Sequence, residues 1–92
     1  SKSDQRKLAA AARASIAPLK KEVASIEKRM AKLKTNIETI DRNLAVNDLF
    51  TTEPETAVAL SQTRSQHERD LEHLEVCWFE ALDAYETAKA DL

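Results

Sequence analysis

Glycine is absent from this 92-residue sequence, and proline, cysteine and aromatic residues are scarce. Without glycine there is no P-loop and no dinucleotide-binding fingerprint, because both need backbone that approaches phosphate without a Cβ atom. Most tight β-hairpin turns are excluded for the same reason, so a β-rich fold is not expected. The single Cys77 has no partner for an internal disulfide. These absences favour an all-helical protein.

Long apolar runs are also missing, and no signal-peptide pattern opens the chain. A membrane span needs about 20 consecutive apolar residues, so no membrane segment is expected. The sequence begins at Ser1 without an initiator methionine, and we interpret it as part of a longer protein. With one cysteine and no secretory signal, a reducing cytoplasm is the expected location.

What the sequence does contain is a regular spacing of apolar residues in two segments. In each segment the steps alternate between three and four residues, which is the 3.5-residue repeat of a coiled coil. The first seam is Ile16, Leu19, Val23, Ile26, Met30, Leu33, Ile37, Ile40 and Leu44. The second seam is Ala57, Leu60, Arg64, His67, Leu71, Leu74, Trp78, Ala81, Tyr85, Ala88 and Leu92.

The segment between the seams has the composition of a turn. Pro54 is tolerated only in the first turn of a helix, and Thr52 with Glu55 has the spacing of a capping box. We therefore expect the second helix to begin near Thr52. Leu49 and Phe50 are too apolar for a solvated loop, so we expect both to fold inward and close the tip of the hairpin.

A short connection forces the two helices to run antiparallel. Matching the seams from the turn outward places Leu44 opposite Leu60, Ile40 opposite Arg64 and Ile26 opposite Trp78, out to Ala12 opposite Leu92. The predicted fold is all-α, a two-helix antiparallel coiled-coil hairpin forming one domain over residues 1–92. Helix one is expected over about residues 3–46, the turn over about 47–52 and helix two over about 53–91.

Pro18 lies inside the first predicted helix and removes a hydrogen bond to the carbonyl of Ala14. Two outcomes are open: a continuous, kinked helix, which the unbroken seam favours, or a new helix that begins at the proline.

Several short motifs occur in an order that resembles the C-terminal extension of ABC-F proteins, which are ATP-binding cassette proteins with two tandem ATPase domains and no membrane part. In chain order these motifs are Asp4-Gln5-Arg6, Ala17-Pro18-Leu19-Lys20-Lys21-Glu22-Val23, the heptad helix, Asn47-Asp48-Leu49-Phe50 and Trp78. The resemblance implies a cytoplasmic accessory domain that acts with upstream ATPase domains on the ribosome. It also implies nucleic-acid binding, to rRNA, tRNA or DNA. The ATPase motifs themselves are absent from this chain.

Charge is divided unequally between the two helices. Residues 1–46 contain 11 Lys or Arg and 5 Asp or Glu, a net charge of +6, whereas residues 47–92 contain 3 and 11, a net charge of −8. Part of this asymmetry is expected to pair across the seam, Lys34 with Glu68 or Glu75 and Arg29 with Asp70. Lys21, Lys28 and Arg42 share the heptad position that faces away from helix two, and Lys32 lies beside them. We predict a phosphate-contacting stripe here, with a solvated face that serves solubility as the alternative. The stripe consists of Lys21, Lys28, Arg29, Lys32 and Arg42.

The other conspicuous side chains have simpler interpretations. Trp78 is expected in the core opposite Ile26, and Arg64 is expected to extend its guanidinium to water, with a register-fixing role as the alternative. His73 and Cys77 are four residues apart, but two ligands do not make a zinc site. A last group lies off the seam and forms either a docking patch or chance surface apolarity. It consists of Val76, Phe79 and Leu82.

A two-helix hairpin offers no pocket for a catalytic constellation, so no enzyme activity, cofactor or metal is expected. The favoured function is a ribosome- or nucleic-acid-contacting domain, and the isolated chain is expected to be a monomer. The alternatives are a structural spacer or protein-docking coiled coil that does not bind nucleic acid, and a module that dimerises through extended helices.

Overall fold

The computed structural model describes residues 1–92 and contains three α-helices, one short 3₁₀ helix and no strand. The helix α1 spans Lys2–Ala45 and continues through Pro18 as one element. It is followed by the 3₁₀ helix Val46–Asp48, the four-residue helix α2 at Leu49–Thr52, and the long helix α3 at Pro54–Ala90. Alanine and straight-chain charged residues dominate both long helices and have high helix propensity.

The chain reverses direction without glycine. Asn47 (φ 55°, ψ 26°) and Asp48 (φ 49°, ψ 59°) are both in the left-handed region, which a residue with a Cβ atom ordinarily avoids. Asn and Asp tolerate this conformation better than other non-glycine residues, because their short polar side chains bond locally. Two consecutive left-handed residues therefore end the first helical segment and redirect the chain into α2.

Thr52 does not cap the second long helix, so the predicted capping box is wrong. Its hydroxyl points backward and donates to the carbonyl oxygens of Asn47 at 3.1 Å and Asp48 at 3.3 Å. The carbonyl of Glu53 instead accepts the first hydrogen bond of α3, from the backbone N–H of Ala57 at 3.0 Å. Thr52 thus satisfies carbonyls at the turn, and α3 begins two residues later at Pro54.

The expectation for Leu49 and Phe50 is half wrong. Leu49 is half-buried, but Phe50 remains 54% exposed. Consecutive residues of the one-turn helix α2 point about 100° apart, since a helix has 3.6 residues per turn. The two side chains therefore point in different directions, and only that of Leu49 is half-buried.

The chain divides into two units, the first made of Ser1–Glu27 with Val76–Leu92 and the second of Lys28–Glu75. In the first unit Val23 and Ile26 are buried, with 8% and 3% of their surface exposed. The indole N–H of Trp78 donates to Glu27 Oε2 at 3.3 Å, and Glu27 is the neighbour of the residue predicted opposite Trp78. The half-buried seam residues of this unit are Ile16, Leu19, Trp78, Ala81, Tyr85 and Ala88.

In the second unit the buried side chains are Ile40, Ala57 and Leu74, all at seam positions. The guanidinium of Arg64 bonds to Asp41. Asp41 follows Ile40, the residue that the predicted register places opposite Arg64. The half-buried seam residues of this unit are Met30, Leu33, Ile37, Leu44, Leu60, Arg64, His67 and Leu71.

Burial therefore follows the predicted seams, and the predicted all-α helical hairpin is confirmed. One predicted layer is not formed. Leu92 lies beyond the end of α3 and is 63% exposed, so it does not extend the seam.

Candidate nucleic-acid interface

The five cations predicted to contact phosphate all lie on α1, and all five side chains are exposed. Lys21 belongs to the first unit, and Lys28, Arg29, Lys32 and Arg42 belong to the second. The ion pairs of the structure join Ser1 to Asp4 and Arg64 to Asp41 and Glu68, so none involves these five cations.

Arg42 is the one predicted cation with a side-chain hydrogen bond in the structure. Its Nη2 atom donates to Thr39 Oγ1 at 3.2 Å, one turn earlier on α1. This bond uses a single N–H of the five that a guanidinium carries. The remaining donors stay available to solvent or to an anion.

Two of the cations share an open groove of the second unit with polar groups that the sequence did not single out. Arg29 and Lys32 line this groove with Asn36 on the α1 side, facing Asp70 and His73 on the α3 side. Its floor is apolar and consists of Leu33 and Leu74. Two cations, an amide and an imidazole around one opening form an arrangement that can donate hydrogen bonds to an anion.

Asp70 is the single carboxylate of this groove. The predicted ion pair between Asp70 and Arg29 does not form. Its Oδ1 atom accepts a hydrogen bond from Gln66 Nε2 at 2.8 Å, one turn earlier on α3. Asn36 was missed although a heptad signal was available, since it follows Arg29 by seven residues and lies on the same face of α1. His73 was considered only as a metal ligand.

The second predicted set of ion pairs, between Lys34 and Glu68 or Glu75, is also wrong. Lys34 lines a groove together with Glu68, but Glu68 bonds to Arg64 Nη1 at 2.6 Å. Glu68 lies one turn beyond Arg64 on the same helix, so this pair forms without bridging the two helices.

Arg64 does not extend to water, which corrects the sequence-based expectation. Its Nε donates to Asp41 Oδ1 at 2.6 Å and its Nη2 to Asp41 Oδ2 at 3.2 Å. The hydrogen bond from Arg64 holds the pKa of Asp41 below its ordinary value of 3.8. The bonds to Asp41 and Glu68 in turn raise the pKa of the Arg64 guanidinium.

The apolar residues off the seam are partly accessible. Val76 and Phe79 are 56% and 65% exposed, whereas Leu82 is half-buried. The ring of Phe79 meets that of Trp78 edge to face, with centroids 5.0 Å apart. This patch belongs to the first unit and is carried by the acidic helix α3.

Among the helices, none combines the length and the apolarity required to cross a membrane. Comparison with protein-family models matches residues 18–82 to the ABC transporter C-terminal domain. The comparisons with curated proteins and with solved structures returned no match. Since the family model covers well over half of the 92 residues, the chain belongs to the ABC transporter C-terminal domain family and is a C-terminal domain of an ABC-type protein.

Proposed function

We propose that this chain is a non-catalytic accessory domain of a soluble ABC-F ATPase, and that it contacts ribosomal or other nucleic acid through α1. The observation that carries the proposal is the state of the five cations Lys21, Lys28, Arg29, Lys32 and Arg42. All are exposed, and none is neutralised by a carboxylate within ion-pair distance.

Membership of the ABC-F subfamily is part of the proposal, and it rests on the order of the motifs from Asp4-Gln5-Arg6 to Trp78. Membership of this subfamily implies that the protein is located in the cytoplasm and that the 92 residues act as one domain. It also implies that the ribosome and the upstream ATPase domains are the partners. In that assembly the domain holds its cations in position for contact with nucleic acid, and it carries out no reaction step.

The spacing of the cations suits a repeating anionic target. Lys21, Lys28 and Arg42 occupy the heptad position that faces away from α3, where residues seven apart are separated by about 10.5 Å along the axis. Lys32 flanks this row, and Arg29 borders the groove with Asn36 and His73. Contacts of this kind neutralise phosphates without reading bases. Affinity should therefore be weak, salt-sensitive and independent of sequence.

The acidic helix α3 sets an upper limit on this affinity. Residues 47–92 carry a net charge of −8, which repels a polyanion that approaches from that side. We expect a dissociation constant of about 10⁻⁴ M at physiological salt, the weak end of the non-specific range.

The experiment replaces Lys21, Lys28, Lys32 and Arg42 together with Gln, which keeps helix propensity high. Binding to duplex RNA and duplex DNA is measured by fluorescence anisotropy over a range of salt concentrations. Binding should fall, and the slope of log K against log salt should flatten by about 0.9 for each lost contact to duplex DNA.

A matched control removes the same amount of charge from another part of α1. Lys2, Arg6, Lys7 and Arg13 are all exposed, and their joint replacement with Gln gives the same net charge. This control should retain most of the binding. If both variants lose the same affinity, total charge rather than the stripe is responsible, and if neither loses any, the stripe is only a solvated face.

The second candidate function is a structural spacer or protein-docking coiled coil without nucleic-acid binding. The exposure of Val76 and Phe79 favours it, because the two side chains are three residues apart on α3 and form one apolar patch, and such a patch can dock a partner. A stripe variant that binds as well as the parent selects this alternative.

A further inference from the structure

The second unit has another open groove, beside the turn, in which α2 meets the outer face of α3. Phe50 of α2 lines one side. The opposite side consists of five α3 residues, each three or four positions from another member of the set, which places them on one helical face. These residues are Val58, Ser61, Gln62, Ser65 and Arg69.

The ring of Phe50 is accessible in this groove. Phe50 is 54% exposed and Val58 is 50% exposed, whereas the preceding Leu49 is half-buried and takes the inward position. The exposed ring provides a flat apolar surface of the kind on which a nucleobase stacks. The charged stripe on α1 contains no such group.

The groove also differs in charge from the rest of α3. None of its six residues is acidic, and Arg69 provides a cation at the end opposite the turn. An Arg69 Nη2 atom donates to Gln66 Oε1 at 2.9 Å, which orients the guanidinium and leaves its other donors available. The carboxylates of Glu53 and Glu55 line a separate depression with Pro54 and Thr56.

We propose that this groove binds an unpaired nucleobase of single-stranded RNA or DNA. The base stacks on Phe50, a phosphate farther along the strand contacts Arg69, and the hydroxyl and amide groups of Ser61, Gln62 and Ser65 bond to the base edge or the sugar. Only two of the six lining residues are apolar, which suits a nucleotide better than the apolar anchor of a protein partner.

The proposal rests on the proposed nucleic-acid contact and deepens it, because it assigns unpaired bases to the turn and duplex phosphates to α1. The two assignments are separable. A duplex keeps its bases paired and cannot use the groove, so duplex binding reports on the stripe and the difference between single strand and duplex reports on Phe50.

The experiment titrates the 92-residue chain with a labelled twelve-nucleotide uridine RNA and with a duplex RNA of the same length, at low salt. Phe50→Leu removes the aromatic face but keeps an apolar side chain. Loss of the stacking face should weaken single-strand binding by about 5-fold or more, the lower end of the range for alanine substitution of a stacking aromatic, and leave duplex binding unchanged. Phe79→Leu, which alters an aromatic residue that is 65% exposed outside the groove, should change neither.

A second readout reports on the groove directly. The ring protons of Phe50 should shift upfield in NMR spectra on titration with the uridine RNA, because a stacked base shields them, and those of Phe79 should not. Arg69→Gln should flatten the salt slope for single-strand binding by about 0.7, the value of one phosphate contact on a single strand.

Several results would overturn the assignment. A parent chain that does not bind the uridine RNA, or a Phe50→Leu variant that binds it as tightly as the parent, excludes stacking in this groove. If Phe50→Leu binds the uridine RNA as tightly as the parent while the α1 stripe variant loses duplex binding, the proposed function stands without the groove. If the stripe variant keeps its duplex binding while Phe50→Leu loses the single strand, the groove stands and the stripe does not.

Discussion

The guanidinium of Arg64 on α3 donates two hydrogen bonds to the carboxylate of Asp41 on α1, from Nε to Oδ1 at 2.6 Å and from Nη2 to Oδ2 at 3.2 Å. Its Nη1 atom bonds to Glu68 on its own helix at 2.6 Å. The planar fork of arginine matches the two oxygens of a carboxylate, which lysine cannot do. A polar residue at a seam position therefore makes a directional contact between the helices, and this contact favours one register over its neighbours.

The first prediction is a pH dependence of thermal stability that originates at Asp41. The pKa of Asp41 is lowered in the folded state, chiefly by the hydrogen bond from Arg64. Its contribution to stability is therefore complete above the ordinary pKa of 3.8 and is lost as the pH falls through the folded pKa. Asp41→Asn should melt below the parent at pH 7, and the two melting temperatures should converge in acid.

Circular dichroism melts between pH 7 and pH 2 provide the measurement. Glu22→Gln is the matched control, since Glu22 is an exposed carboxylate of α1 that forms none of the ion pairs of the structure. It should stay close to the parent throughout. A gap between Asp41→Asn and the parent that persists unchanged at the lowest pH would show that the carboxylate charge is not the cause.

The second prediction concerns the register in the second unit. Cysteines at Leu33 and Leu71, in a Cys77→Ser background, should form a disulfide on mild oxidation, because the predicted seams place these residues opposite each other. Cysteines at Leu33 and Arg64, one heptad away, should not, since a disulfide requires Cα atoms within about 7 Å of each other. Mobility on non-reducing gels distinguishes the two, and preferential closure of the second pair would shift the register by seven residues.

The third prediction uses the two prolines, which occupy different positions in their helices. Pro18 lies inside α1, where it lacks an N–H and its ring clashes with the carbonyl four residues earlier. Pro54 is the first residue of α3, where no such hydrogen bond is lost. Pro18→Ala should raise the free energy of unfolding by up to about 3 kcal/mol, whereas Pro54→Ala should lower it by about 0.4–1 kcal/mol.

Urea unfolding followed at 222 nm measures both variants under one set of conditions. Because each substitution has the same chemistry, the opposite signs isolate the effect of position. A Pro18→Ala variant that is less stable than the parent would indicate that the proline has a favourable role in α1 beyond its backbone cost.

The helix content and the buried faces were predictable from the sequence, because both depend on local periodicity. Val23 and Ile40 are buried at positions that their spacing along the first seam identifies. The predicted layer at Leu92 is not formed, because the helix ends before the pattern does. Fraying of a terminal turn depends on packing that the spacing alone does not encode.

The candidate sites were less predictable than the fold. The cations of α1 were identified from charge and heptad position, but the groove that joins Arg29 and Lys32 to Asn36 and His73 was not. It requires side chains from two helices, and their proximity depends on the register. The exposure of Phe50 was predicted wrongly, because apolar character indicates a tendency to be buried and not the direction in which a side chain points.

By itself, the sequence determined that this protein is an all-α helical hairpin with a basic first helix and an acidic second one, since apolar spacing and charge are properties of the chain. Only the tertiary structure decided that Arg64 bonds to Asp41, that Thr52 turns back to the carbonyls of Asn47 and Asp48, and that Phe50 faces outward. Each of these depends on the left-handed backbone at the turn and on the alignment of α1 with α3. A single hydrogen bond contributes only about 1 kcal/mol net, so at such positions geometry and not residue type selects the partner.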